Sequence, residues 1–139
     1  MGQLLDDLVD DIIMNTVLQF GYSSPGSKQL IDHYMKQKDI LLVDIRYSTQ
    51  SRHKPYWSES NLRTLYGDRY VHIQDLGNEH YFQRELGIKI HNIENGLDQL
   101  EIYRKQSHKI ILLCTCIEYA TCHRKIVIDA LKERMKHAK

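Results

Sequence analysis

The stretch that decides the fold is Asp39-Ile-Leu-Leu-Val-Asp-Ile45, in which four apolar residues follow one another without interruption. A second run of this kind is Ile110-Ile-Leu-Leu-Cys114. Continuous apolar runs are typical of strands that are buried on both faces, as in a parallel sheet. Residues 16–20 and 70–73 are rich in β-forming side chains and are the two other predicted strands. The sequence therefore predicts a mostly parallel sheet of about four strands.

Helical patterns separate these strands along the chain. Apolar residues recur at helical spacing within 25–37, 58–66, 97–103 and 126–131. Ser24 before Pro25 fits an N-cap and a first helical residue, and Gly67 fits the end of the 58–66 helix. Strands that alternate with helices favour a three-layer α/β fold with helices on both faces of the sheet.

The domain organisation follows from the length and from the first residues. A chain of 139 residues fits one domain. Residues 1–15 combine apolar side chains at helical spacing with four aspartates. We expect them to form an acidic amphipathic helix packed on a single α/β domain of residues 16–139.

Cysteine usage and hydropathy bear on the compartment. Three cysteines lie within nine residues, which does not resemble a secreted disulfide framework. The chain has neither a secretory signal pattern nor an apolar run of transmembrane length. We expect a cytoplasmic protein without membrane association, and the sequence does not indicate an oligomeric state.

The ends of the predicted strands carry the candidate ligand-binding residues. Ligands of open α/β sheets bind outside the carboxyl ends of the strands. Three strand ends should meet at one edge if the sheet is parallel. Their polar or reactive residues are Gly21, Tyr22 and Ser23, then Asp44, Arg46, Ser51 and Arg52, and finally Cys114, Cys122, His123 and Arg124.

The Cys-His-Arg segment at 122–124 is the sharpest of these candidates. If Thr121 caps the last helix, the segment fills the first turn, where unpaired backbone N–H groups and Arg124 favour an anion. Three interpretations stay open: a binding cradle, which we favour, a packed thiol without function, and a nucleophilic Cys122 with His123 or another histidine as proton carrier. Asp44 is a candidate general base, although a role in orienting Arg46 is more common.

Metal binding receives less support from the sequence. Cys114, Cys116, Cys122 and His123 are possible ligands, but their spacing lacks the paired two-residue gaps of common zinc sites. The sequence therefore predicts neither a metal nor a cofactor.

The segment from Arg46 to Trp57 mixes basic and aromatic residues. Such a mixture suits contacts to phosphates combined with stacking on bases. The alternative is a polar surface loop whose Tyr56 and Trp57 are packed into the core.

These motifs together resemble the domain of unknown function 488 family over about residues 17–133. The resemblance implies a compact α/β domain and supplies no reaction. The chain departs from the family pattern at Cys116, where an acidic residue is usual, and at Asn78, where a second glycine is usual. Residues at the family's motif positions are Gly21, Tyr22, Asp44, Arg46, Ser51, Arg52, Pro55, Leu76, Gly77, Cys114, Cys122, His123 and Arg124.

The function predicted from the sequence is binding of a phosphate-bearing ligand, a nucleotide or nucleic acid, at the carboxyl edge of the sheet. Arg46, Arg52 and Arg124 would hold its anionic oxygens. An aromatic side chain would stack on it or line the pocket, and the candidates are Tyr22, Tyr47 and Trp57. Whether Cys122 and His123 add hydrolase or transferase chemistry is left open. The alternative is a non-catalytic protein-interaction module that uses the acidic helix and the basic aromatic loop.

Overall fold

Four parallel strands form one sheet in the computed structural model, which describes residues 2–21, 26–50, 54–106, 109–114 and 122–137. The strands are β1 (Val17–Gly21), β2 (Ile40–Asp44), β3 (Tyr70–His72) and β4 (Lys109–Cys114). Their order across the sheet is β1-β4-β2-β3, and every pair is parallel. The two continuous apolar runs therefore form the two central strands.

Within the described part of the chain, five α-helices cover the sheet: α1 (Gly2–Thr16), α2 (Ser27–Met35), α3 (Glu59–Tyr66), α4 (Ile93–Gln106) and α5 (His123–Lys136). Buried side chains of α1, α4 and α5 pack together on one face, and those of α2 and α3 pack on the other. This arrangement confirms the predicted three-layer α/β fold.

The central strands divide their side chains between the two cores by simple alternation. Leu41 and Val43 enter the core beneath α5, whereas Ile40 and Leu42 enter the core beneath α2 and α3. Successive residues of a strand point to opposite faces. A strand covered by helices on both sides therefore needs an apolar residue at every position, and this accounts for the uninterrupted run.

Helix α3 ends at Tyr66, as the sequence predicts, and begins at Glu59, one residue after the predicted start. The Ser58 side chain accepts a hydrogen bond from the backbone N–H of Asn61, and Gly67 ends the helix with a φ of 57°. This φ lies in the region that glycine adopts without a steric penalty from a Cβ.

The predicted start of α2 is wrong: the helix begins at Ser27, and Gly26, with a φ of 77°, occupies the N-cap position in place of Ser24. A backbone with positive φ suits glycine, which has no Cβ. Ser24 and Pro25 themselves lie outside the described residues.

The acidic helix α1 packs on the last helix of the chain. Val9 and Ile13 are buried in the core that α5 shares, and Asp10 forms an ion pair with Lys132 at 3.2 Å. The helix extends through Thr16, one residue beyond the predicted boundary, so that β1 begins at Val17. None of the helices described is long and apolar enough to cross a membrane.

Candidate functional site

The carboxyl edge of the sheet brings together the strand ends that the sequence singles out. Gly21 is paired with Cys114 in the strand register, and Asp44 lies between Leu113 and His72. The ends of all four strands therefore lie side by side. Four candidate residues, Tyr22, Ser23, Ser51 and Arg52, lie outside the described residues.

Asp44 and Arg46 form a buried ion pair at this edge. The Asp44 carboxylate accepts from Arg46 Nε at 2.8 Å and from its terminal nitrogen at 2.6 Å, and also from the Arg46 backbone N–H at 3.1 Å. Asp44 is inaccessible to solvent and Arg46 is 4% exposed. The geometry matches the orienting role considered for Asp44. Direct binding of a ligand by Arg46 stays a prediction.

Tyr70 adds a further hydrogen bond to the same carboxylate. Its hydroxyl donates to Asp44 Oδ2 at 2.5 Å. Burial raises the pKa of Tyr70 above its ordinary value, and the negative charge of Asp44 raises it further. The hydroxyl therefore keeps its proton at neutral pH and remains a donor to Asp44.

Two histidines contact consecutive backbone carbonyls just beyond β2. His123 Nε2 lies 2.8 Å from the Ile45 carbonyl oxygen, and His72 Nε2 lies 2.7 Å from that of Arg46. A carbonyl oxygen only accepts hydrogen bonds, so each Nε2 is the protonated nitrogen. In the neutral rings, Nδ1 then carries the lone pair.

Cys114, Cys122 and His123 form a buried cluster between β4 and α5. Cys114 Sγ lies 3.0 Å from Cys122 Sγ, and Cys122 Sγ lies 3.8 Å from His123 Nδ1. The sulfur separation exceeds the length of a disulfide bond, about 2.05 Å. Sulfur and imidazole nitrogen are ligand types that bind zinc, and one ligand atom from each residue lies within 4.8 Å of the others.

The start of α5 differs from the prediction by one residue. Cys122, with φ −100° and ψ 149°, occupies the N-cap position, and the helix begins at His123. Only His123 and Arg124 of the Cys-His-Arg segment therefore enter the first turn, and Thr121 lies outside the described residues. The prediction relied on the capping preference of threonine, whereas packing of the Cys122 side chain against Cys114 sets the entry of the chain.

A surface cleft of about 340 Å³ opens at the carboxyl ends of β2 and β3. The Tyr47 ring stacks on the Tyr81 ring at 6.1 Å between centroids and meets His91 edge-on at 5.5 Å. Gln74 Nε2 donates to the Tyr47 carbonyl at 2.9 Å. The cleft is lined by Tyr47, Ser48, Thr49, Gln50, His72, Gln74 and Tyr81.

Sequence reasoning anticipated only part of this cleft. It singled out Tyr47 as a stacking residue, but also Trp57, which is buried and packs against Phe20 at 5.6 Å between centroids. Trp57 is therefore a core residue, as the alternative interpretation of the loop held. Gln74 and Tyr81 were missed because residues 74–92 have no helical or strand periodicity that would orient them.

Two further contacts hold the loop that carries Tyr47. Gly77 lies so close to the Tyr47 backbone that an added Cβ would overlap it. Farther along the loop, Thr49 donates to Glu59 Oε1 at 3.0 Å. The hydrogen bond from Arg63, together with that from Thr49, holds the pKa of Glu59 below its ordinary value despite partial burial. Glu59 is therefore an ionised anchor that joins the loop to α3.

Comparison with known families identifies the chain. Residues 27–131, about three quarters of the sequence, match the family described as domain of unknown function DUF488. The chain belongs to this family, and the resemblance seen in its motifs is confirmed. The match begins after β1, so the Gly21 motif lies outside it. Comparisons with curated proteins and with solved structures found no match.

Proposed function

We propose that this member of the DUF488 family binds a phosphate-bearing ligand, a nucleotide or a segment of nucleic acid, in the cleft at the carboxyl ends of β2 and β3. The observation that carries the proposal is the composition of this cleft, where stacked tyrosines lie beside hydroxyl, amide and imidazole groups. The cleft lies at the sheet edge where ligands of open α/β sheets bind.

The lining groups match the two chemical parts of such a ligand. The Ser48 hydroxyl and the Gln50 amide are donors of the kind that contact phosphate and sugar oxygens. The Tyr47 ring offers a face on which a base can stack, and Tyr81, which is more than half exposed, lies beside it.

The buried ion pair of Asp44 and Arg46 lies at the start of the loop that lines the cleft. Tyr47 follows Arg46 directly, so the buried pair fixes the point at which the loop leaves the sheet. We assign Arg46 this positioning role. Substitution of Arg46 would disturb the fold and binding together, so Tyr47 is the better residue for a test.

The burial of Cys122 favours binding without a covalent step. Cys122 is 1% exposed, so its sulfur is screened from a ligand in the cleft. If the protein instead catalyses a hydrolase or transferase reaction through this thiol, Cys122→Ser should abolish turnover and retain ligand affinity.

The proposal includes a cytoplasmic location. It is supported by the cysteine pattern of the sequence, because three cysteines within nine residues do not resemble a secreted disulfide framework.

Anisotropy titrations with a labelled nucleotide and a labelled single-stranded oligonucleotide test the proposal and separate its two ligand classes. Loss of one stacked base costs about 1–3 kcal/mol, so Tyr47→Ala should weaken binding by roughly tenfold or more. The matched control is Tyr34→Ala, because Tyr34 lies near the end of α2 that leads into the amino edge of β2. Absence of binding to both probes, or equal binding by parent and Tyr47→Ala, would contradict the proposal.

A second candidate function, protein interaction through α1, is favoured by one observation. Leu4, Leu8 and Met14 are 78%, 56% and 74% exposed on this helix, although the opposite side of α1 is packed. If the partner is a second copy of this chain, the parent should self-associate in light-scattering measurements. A Leu4→Ser, Leu8→Ser double variant should then be monomeric. A parent chain that is monomeric at every concentration would contradict self-association through α1.

A further inference from the structure

We propose that Cys114, Cys122 and His123 bind one metal ion of the zinc class at the junction of β4 and α5. The three residues are buried, and one ligand atom from each lies within 4.8 Å of the other two. The site is separate from the cleft at β2 and β3, and its ligands differ from the residues that line that cleft.

The ligand distances are close to those that a tetrahedral ion requires. Zinc binds sulfur at about 2.3 Å and imidazole nitrogen at about 2.0–2.1 Å. Tetrahedral angles then set the sulfur–sulfur distance at about 3.8 Å and the sulfur–nitrogen distance at about 3.5 Å. The structure has 3.0 Å between the sulfurs and 3.8 Å from Cys122 Sγ to His123 Nδ1. Accommodating the ion therefore takes a sulfur displacement below about 1 Å.

The orientation of His123 is that of a ligating histidine. Its Nε2 donates to the Ile45 carbonyl at 2.8 Å, so the neutral ring has its lone pair on Nδ1, the nitrogen near Cys122. Histidines that bind metals usually donate their other ring nitrogen to a carbonyl or carboxylate, which fixes both tautomer and ring angle. The Ile45 carbonyl, just beyond β2, supplies this support.

The same geometry disfavours a regulatory disulfide between the two cysteines. Thiol–disulfide exchange requires access of a second sulfur species, whereas Cys114 and Cys122 are 0% and 1% exposed. A disulfide between the two cysteines would also leave the position of His123 Nδ1 beside Cys122 without a chemical role. A metal can be acquired as the chain folds, because ligand binding and folding are coupled.

Binding of the ion is balanced by release of protons. Each cysteine binds as a thiolate and loses one proton, while His123 binds in its neutral form. The two thiolates and a divalent ion then sum to zero charge, which suits a cluster within an apolar core. The described residues supply three of the four ligands of a tetrahedral site.

Titration of the reduced, metal-free full chain with Co²⁺ tests the site. We expect one equivalent per chain to produce a thiolate-to-cobalt charge-transfer band, which Zn²⁺ then abolishes by displacement. Cys114→Ser and Cys122→Ser should lose the band, and His123→Gln should bind at least about tenfold more weakly. The matched control His91→Gln should behave as the parent, since His91 lies on the cleft side and is partly exposed.

Native mass spectrometry of the parent chain tests metal binding without any substitution, so the result does not depend on whether a variant folds. After incubation with Zn²⁺, the expected mass is that of the chain plus one zinc minus two protons. A chain that stays metal-free, or that loses two hydrogens through a bond between Cys114 and Cys122, would overturn the proposal.

Discussion

The ends of β2 and β4 lie side by side, yet they bury polar groups in different ways. At the end of β2, Asp44 accepts hydrogen bonds from Arg46 and Tyr70, and the charges compensate each other inside the protein. At the end of β4, Cys114 and Cys122 place sulfur atoms, which are weak hydrogen-bonding groups, next to an imidazole. The first arrangement stabilises the edge of the sheet, and the second is suited to bind an ion. An arginine at a sheet edge is therefore not evidence of an anion site by itself.

Removal of the charge at the end of β2 should have the largest effect on stability. Asp44→Asn keeps the shape of the side chain but leaves the Arg46 guanidinium buried without its counterion. Breaking a buried pair in this way costs about 3–5 kcal/mol, which urea denaturation would measure. The control Asp98→Asn removes an exposed partner of Arg134 and should cost less than about 1 kcal/mol. Similar losses of unfolding free energy in both variants would contradict a larger contribution from the buried pair than from the exposed one.

Loss of the tyrosine hydroxyl should have the next largest effect. Tyr70→Phe removes a hydrogen bond to a charged acceptor, worth about 1.5–3 kcal/mol of unfolding free energy. Tyr81→Phe is the control, because Tyr81 is more than half exposed and its hydroxyl has access to water. Equal losses of unfolding free energy in Tyr70→Phe and Tyr81→Phe would contradict a stabilising hydrogen bond from Tyr70 to Asp44.

Crowding of the cleft loop should lower both stability and binding. In Gly77→Ala the new Cβ would overlap the Tyr47 backbone, and overpacking of this kind costs about 1–3 kcal/mol. Gly87→Ala strains a backbone with φ +77° but has open space around its Cβ. We expect both variants to lose stability and only Gly77→Ala to lose nucleotide affinity in the anisotropy titration. If Gly77→Ala retains its affinity for the nucleotide, the loop that carries Tyr47 is not part of the binding site.

The smallest effect should appear in the alkaline pH dependence of stability. The pKa of Tyr70 is raised in the folded state by burial and by Asp44, so its neutral form favours folding. That contribution is complete below the unfolded pKa of about 10 and is lost as pH rises toward the folded pKa. Unfolding free energy should therefore fall above about pH 10, and less steeply in Tyr70→Phe. Identical slopes in parent and variant would contradict this.

The fold was largely predictable because its central elements follow local rules. The uninterrupted runs in β2 and β4 indicated strands covered on both faces, and Gly67 marked the end of α3. The site was less predictable, because it depends on contacts between distant segments. His123 and Ile45 are 78 positions apart, and their contact depends on how α5 packs beside the end of β2. Arg46 looked available for ligands in the sequence, since nothing local indicated that it would be buried.

Amide chemical shifts of the full chain during a nucleotide titration test the central claim most directly, because they locate the ligand. The largest changes should fall in residues 47–50, 72–74 and 81, which border the cleft at the carboxyl edge of the sheet, with little change at the amino edge near Tyr34. Absence of changes at saturating nucleotide and oligonucleotide, or changes centred on the amino edge, would contradict the account.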